Sequence, residues 1–294
     1  MVTCHVLIAL GPPVNESMPQ THWRTLWLSD VRLGSSDCQA EVLLDFLTRH
    51  KADTLYLVGN LIDGWQLSRS WHWPSLHNDV VQRLLRKAHD GTRIVYLAGN
   101  RDDFARRFLG LAFGDIDIAD DAVHTLADGR RLLIMHGSHL DGVLRYGRKL
   151  SGVGEALYPF AMSLHYRLSR LRVRLSGGEA VARGRDRGIP TPPSPRLVMA
   201  FESAIVAEAK RRGLDGAVCG HLPKHDLGER DGVTYATVGD WTRHSVALAE
   251  DHEGRLSLIE GDRRGQSAML RSKHSIKLPA LPSTLQRGNI RDHS

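Results

Sequence analysis

Five short apolar runs, each closed by a loop carrying Asp, Asn or His, constrain this chain more than any other feature. The runs cover residues 25–29, 55–58, 93–98, 131–135 and 216–219, and Gly, Asp or Asn bounds them. Apolar stretches this short read as buried β-strands. Helical patterns lie between them. Ser36 followed by Gln39 has the spacing of a capping box, after which Ala40, Leu43, Leu44 and Leu47 share one helical face. Further helices are expected at 76–90 and 198–212. The second has Ser194 as its cap, Pro195 in the first turn, and Val198, Phe201 and Ile205 turned inward. Residues 231–260 alternate in short segments broken by Gly and Asp, which favours antiparallel strands. Strand alternating with helix is the signature of an α/β protein.

A chain of 294 residues has room for one large α/β domain or two smaller ones. Residues 1–22, with Pro12, Pro13 and Pro19, read as a loose leader ahead of a body at 23–262. Within the body, residues 141–175 carry Leu, Tyr and Arg at helical spacing and suggest a helical insertion. There Leu164, Leu168, Leu171 and Leu175 form a stripe suited to core packing. Residues 176–196 read as a mobile linker, and 263–294 as a disordered basic tail. The tail holds seven Lys or Arg against the single acid Asp292, and residues 145–187 hold ten against three. With a chain total of +6, the remainder is net acidic. A basic insertion and tail on an acidic body suit an anionic partner such as a phosphorylated substrate or a lipid headgroup surface. Cys4, Cys38 and Cys219 lie far apart, which argues for a reducing compartment. No apolar run approaches the ~20 residues of a membrane span. The expected address is therefore cytoplasmic.

The chemistry lies in the loops that follow the five runs: Ser29-Asp30-Val31-Arg32, Gly59-Asn60-Leu61-Ile62-Asp63, Gly99-Asn100-Arg101-Asp102, His136-Gly137-Ser138-His139, and Gly220-His221-Leu222-Pro223-Lys224-His225. In open α/β sheets ligands bind beyond the carboxyl ends of strands, so these loops should converge. Together with Leu55-Tyr56-Leu57-Val58-Gly59, Trp71-His72-Trp73-Pro74 and Gly239-Asp240-Trp241, they resemble the calcineurin-like metallophosphoesterases. The likeness is to the branch of UDP-2,3-diacylglucosamine diphosphatases in lipid A synthesis, and it runs from about Trp27 to Glu250. The resemblance implies an αββα two-sheet sandwich with an inserted helical segment. It also implies two divalent ions, commonly manganese, that activate a hydroxide and stabilise the leaving oxygens.

Carried over by position, the resemblance points to Asp30, Asn60, Asn100, His136 and His221 as metal ligands. Five positions depart from the family pattern. Arg32 stands where a histidine is usual, Asn60 where an aspartate bridges the metals, and Arg101 where another histidine is usual. Ser138 replaces an aspartate, and Pro223 a histidine, with His225 two residues on. Pro223 has no side-chain donor and Arg32 is a permanent cation, so the first ion loses its site. The second would meet Asn60, Asn100, His136 and His221, a neutral set that binds hard Mn²⁺ weakly. At most one weakly held ion is expected.

Arg32 and Arg101 could instead bind phosphate, since guanidinium forks match its oxygens. They could equally pair with Asp30, Asp63 or Asp102. His225 could swing in as a replacement ligand only if its loop rearranged. His139, His165 and His244 read as structural, Cys219 as a core thiol, and Trp65, Trp71 and Trp73 as packing more than as a substrate wall. Three functions follow. The first is a diphosphatase acting on a nucleotide-linked lipid at the inner membrane. The second is a pseudoenzyme of the same fold that binds a phosphorylated ligand through Arg32 and Arg101. The third is a phosphoesterase for another nucleotide or phosphoester, against which the Trp71 segment and Gly239-Asp240-Trp241 argue. Nucleic acid is not the expected partner.

Overall fold

Along the first strand, successive side chains take opposite faces: Leu26 and Leu28 pack toward helices, and Trp27 packs toward a second sheet. That alternation recurs across the computed structural model, which describes residues 20–140, 195–261 and 268–270. The strands are β1 (Thr21–Leu28), β2 (His50–Val58), β3 (Arg93–Leu97), β4 (Ala112–Phe113), β5 (Ile116–Ala119), β6 (Asp121–Thr125), β7 (Arg131–Met135), β8 (Gly216–Cys219), β9 (Asp226–Arg230), β10 (Val233–Thr237), β11 (Val246–Glu250), β12 (Leu256–Glu260) and β13 (Ala268–Leu270). An eight-stranded sheet has the order β13-β12-β11-β1-β2-β3-β5-β4, and a five-stranded sheet the order β6-β7-β8-β10-β9. The strands that carry the candidate loops are β1 (Thr21–Leu28), β2 (His50–Val58), β3 (Arg93–Leu97), β7 (Arg131–Met135) and β8 (Gly216–Cys219). β1, β2 and β3 run parallel in the first sheet, and β7 and β8 run parallel in the second. All five therefore deliver their carboxyl ends to one edge.

Between the sheets lie Trp27, Tyr56, Val58, Leu97, Ile134, Val218 and Leu248, with the Trp27 and Tyr56 rings stacked at 5.9 Å. Outside the first sheet, α1 (Ala40–Arg49) and α3 (Ser75–His89) cover Leu26, Leu28, Leu55 and Leu57 with Leu43, Phe46, Leu47, Val80 and Leu84. Outside the second, α4 (Pro195–Arg211) lays Phe201, Ile205 and Ala209 on Leu133, Met135 and Cys219. The result is helix, sheet, sheet, helix, an α/β sandwich of two mixed sheets.

Several details depart from the sequence reading. β1 starts at Thr21, inside the expected leader, because Thr21 and His22 pair with His50 and Lys51 of β2. The tail is not wholly without order: residues 268–270 form β13 (Ala268–Leu270), antiparallel to β12 (Leu256–Glu260). This pairing covers the edge groups that β12 would otherwise expose. No capping box starts α1. Gln39 is its N-cap without a side-chain bond to the helix, and its amide instead donates to Thr242 O at 3.0 Å. The region 231–260 is antiparallel at β9 (Asp226–Arg230) with β10 (Val233–Thr237), and at β11 (Val246–Glu250) with β12. β10 also pairs parallel with β8. The helical insertion, the linker up to residue 194 and the rest of the leader and tail lie outside the described residues. No helix among the described residues is long and apolar enough to cross a membrane.

Candidate functional site

Four residues of the strand-end loops adopt left-handed backbone: Asp30 at φ 54°, Arg32 at 59°, Asn60 at 50° and His221 at 68°. Such conformations cost of order 1–3 kcal/mol each and persist only where the surroundings enforce them. Here the loops after β1 and β2 zip together. Asp30 N donates to Gly59 O, Arg32 N to Asn60 O, Leu33 N to Leu61 O and Asp63 N to Leu33 O, at 2.7–3.1 Å. Trp241 N donates to Asp30 O at 3.2 Å, which ties in the Gly239-Asp240-Trp241 segment.

This framework brings Asp30, Asn60, Asn100, His136 and His221 together. Asn60 Nδ2 donates to Asp30 Oδ1 at 2.6 Å and to Asn100 Oδ1 at 3.1 Å. Asn60 Oδ1 accepts from Arg101 N at 2.9 Å, which fixes the orientation of the amide, since a backbone N–H needs an acceptor. Asp30 Oδ2 accepts from His221 N at 3.0 Å. His136 is buried, and neither ring nitrogen has a hydrogen-bond partner among the described residues; its Nε2 lies 3.8 Å from Asp30 Oδ2, and its ring 5.0 Å from that of His221. Burial raises the Asp30 pKa, but His136, the Asn60 hydrogen bond and His221 outweigh it and hold the carboxyl well below the usual range.

Arg32 and Arg101 both turn to Asp63, which is fully buried, and not to Asp30 or Asp102. Arg32 donates through Nε and Nη2 at 3.1 and 3.0 Å, and Arg101 through Nη1 at 3.2 Å. Asp63 also caps the short helix α2 (Gly64–Leu67), its Oδ1 accepting from Gln66 N at 2.9 Å. Arg32 Nη1 and Arg101 Nε and Nη2 have no hydrogen-bond partner among the described residues, and both side chains are about one-fifth exposed. The half-exposed Trp65 ring lies 5.3 Å from the Arg101 guanidinium and 3.6 Å from that of Arg69.

Other sequence readings fall elsewhere. Asp102 braces the loops, accepting from Gly99 N, Leu61 N and Tyr96 Oη, and burial raises its pKa. His225 packs edge to face on His244 at 5.5 Å, beside Gly239, so it does not take the place of the missing ligand. His139 is pushed down to about 4 by burial. Cys219 is buried in the core with its thiol near His136 O. Trp71 is exposed and stacked on Trp73, which bonds Asn78. Sequence reasoning missed Ser29, whose Oγ stands 2.9 Å from both Asp30 Oδ2 and Val58 O; its position just before Asp30 was the available signal.

No family model matches the chain. It is similar to a UDP-2,3-diacylglucosamine hydrolase from Chromohalobacter salexigens, at 34% identity over 121 residues, covering 40% of this chain and 47% of that protein. The match thus spans about half of that relative. A second UDP-2,3-diacylglucosamine hydrolase, from Ralstonia nicotianae, is 25% identical over 243 residues, covering 79% of this chain and 87% of that protein. Among solved structures, a zinc complex of vacuolar protein sorting 29 from Entamoeba histolytica aligns at TM-score 0.41 and 14% identity, covering 84% of this chain and 96% of that one.

The residues present do not fit the two-ion centre that the resemblance to metallophosphoesterases implies. The position between Asp30 and Asn100 is filled by an amide that points N–H groups at both, and an N–H group cannot ligate a cation. Asp30 Oδ2 and His136 Nε2 approach one another, but three ligand atoms of His, Cys, Asp or Glu do not converge within 4.8 Å here among the described residues.

The packing of the loops is itself testable. Gly59 has φ +73°, and a Cβ there would lie 2.3 Å from the His136 ring. Gly59→Ala should cost about 2 kcal/mol in urea unfolding. An unchanged midpoint would mean that His136 is not held against this turn.

Proposed function

We propose that the strand-end pocket binds the phosphate or pyrophosphate of a nucleotide-linked lipid and does not hydrolyse it by two-metal chemistry. The Asn60 amide carries this reading, because its bonds to Asp30, Asn100 and Arg101 N complete a protein network where bridging ions would need a carboxylate. The remaining guanidinium donors of Arg32 and Arg101 supply anion recognition. Their pairing with Asp63 orients the forks and leaves two cations against one carboxylate at that point. The likeness to two UDP-2,3-diacylglucosamine hydrolases supports the ligand class. The basic segments at 145–187 and 263–294 suit a peripheral position on an anionic membrane surface at its cytoplasmic face.

The test joins turnover to binding. With manganese in excess, the natural chain should leave UDP-2,3-diacylglucosamine intact yet bind it, and Arg32→Ala with Arg101→Ala should weaken binding at least tenfold. A revertant carrying Arg32→His, Asn60→Asp and Pro223→His should gain hydrolysis. Turnover by the natural chain comparable to that of the revertant would overturn the reading in favour of an active diphosphatase. Binding that survives removal of both arginines would refute their role.

A further inference from the structure

At the opposite end of β1 from the strand-end loops stands a second cluster of ligand-bearing side chains. His22 lies near the start of β1, Asp53 on the neighbouring β2, and His252 in the turn between β11 and β12. His22 Nε2 is 2.8 Å from Asp53 Oδ1, and the His22 and His252 rings meet edge to face with centroids 5.3 Å apart. One ligand atom from each of the three lies within 4.8 Å of the other two. Eight residues of extended chain separate His22 from Asp30, so this cluster is roughly 25 Å from the candidate pocket.

We propose that His22, Asp53 and His252 form a surface site for a borderline transition-metal ion, Zn²⁺, Ni²⁺ or Cu²⁺. Ligand atoms at ~2.0–2.2 Å from a tetrahedral zinc are ~3.3 Å apart. The His22–Asp53 separation is already close to that edge, and the third atom needs a displacement of order 1 Å, within reach of exposed side-chain rotation. Two imidazoles and one carboxylate select these ions over Mg²⁺ or Mn²⁺, which favour oxygen.

The scaffold is preorganised. The register pairs His22 with Lys51, so residue 53 falls on the same face of the parallel pair. The turn that presents His252 is pinned by Asp251, whose Oδ1 accepts from Glu253 N at 3.0 Å and Arg255 N at 2.9 Å, and whose Oδ2 accepts from Arg255 Nε at 2.6 Å. Lys51 shares the face and opposes the ion's charge, which keeps the affinity modest. Three protein ligands leave a coordination position open to water or to a donor from another molecule.

Calorimetric titration of the full chain with Zn²⁺ tests the assignment. The natural chain should bind one equivalent more than His22→Ala/His252→Ala, and Asp53→Asn should weaken that equivalent by about tenfold or more. All three changes are on the surface, so equal unfolding midpoints would exclude a folding artefact. The extra equivalent should persist in Asp30→Ala, which separates this site from the strand-end pocket. Identical stoichiometry and affinity in the natural chain and the double variant would overturn the proposal, as would no zinc uptake at micromolar concentration.

Discussion

Asp63→Ala should destabilise the protein by about 3 kcal/mol, the largest loss expected from any one side chain of the strand-end loops. Asp63 is wholly buried and is the shared acceptor of Arg32 and Arg101. Removing one member of a buried charge cluster typically costs ~3–5 kcal/mol, because the partners remain desolvated and unpaired. The partial exposure of both arginines lets water solvate them and argues for the lower end. Loss of the cap on Gln66 N adds to the cost. Urea denaturation reads the total. Adding Arg32→Met and Arg101→Met to Asp63→Ala should recover part of the stability, since no cation is then left without its counter-charge. A loss below about 1 kcal/mol, with no recovery, would mean that the guanidiniums rely on solvent and not on Asp63. The same variant bears on ligand binding: if Asp63 orients the forks, its removal should weaken phosphate binding even though it frees two positive charges.

Replacing Glu250 by Ala should cost as much or more. Glu250, at the end of β11, is fully buried between the sheets. Its oxygens accept from Arg24 Nη1 at 2.6 Å, Thr25 Oγ1 at 2.6 Å and Ala127 N at 2.8 Å, and stand 2.9 Å from His124 Nε2. Deleting the carboxylate takes the acceptor from Ala127 N and the counter-charge from Arg24, which keeps Thr125 O at 3.0 Å, and about 3–5 kcal/mol is expected. A pH dependence accompanies it. Burial raises the Glu250 pKa, but the bonds from His124, Thr25 and Ala127 outweigh it and leave the carboxyl below its ordinary value of 4.5. A carboxylate with a depressed folded-state pKa contributes stability that is present above the unfolded value and lost as pH falls through the folded one. The natural chain should therefore lose stability as pH drops below about 4.5, and Glu250→Gln should show a shallower acid limb. Parallel acid limbs in the two proteins would mean that the carboxylate is neutralised elsewhere.

Much of the architecture was legible because burial imposes simple patterns. The run Leu55–Val58 is apolar on both faces, which only a strand covered on both sides tolerates. The face made by Ala40, Leu43 and Leu47 marks a helix laid on such a sheet. Short or polar elements were not legible. Asp226–Arg230 holds two acids and an arginine, and becomes a strand only because β10 offers it a partner. Gln39 in the capping-box position was drawn off to Thr242, a contact across 203 residues that no local rule contains.

The candidate site divides along the same line. Residue type alone determined that Arg32 and Pro223 cannot ligate a metal, since a guanidinium carries a permanent charge and proline has no side-chain donor. The strand pattern pointed to convergence of the loops at the carboxyl ends of the strands, and the resemblance named Asp30, Asn60, Asn100, His136 and His221 among them. Tertiary structure alone decided what those residues do on meeting. Asn60 turns its amide toward Asp30 and Asn100, and both arginines choose Asp63 over Asp30 and Asp102. The reason is geometric: hydrogen bonds act over about 3 Å, and only the packed loops determine which donor comes that close to which acceptor.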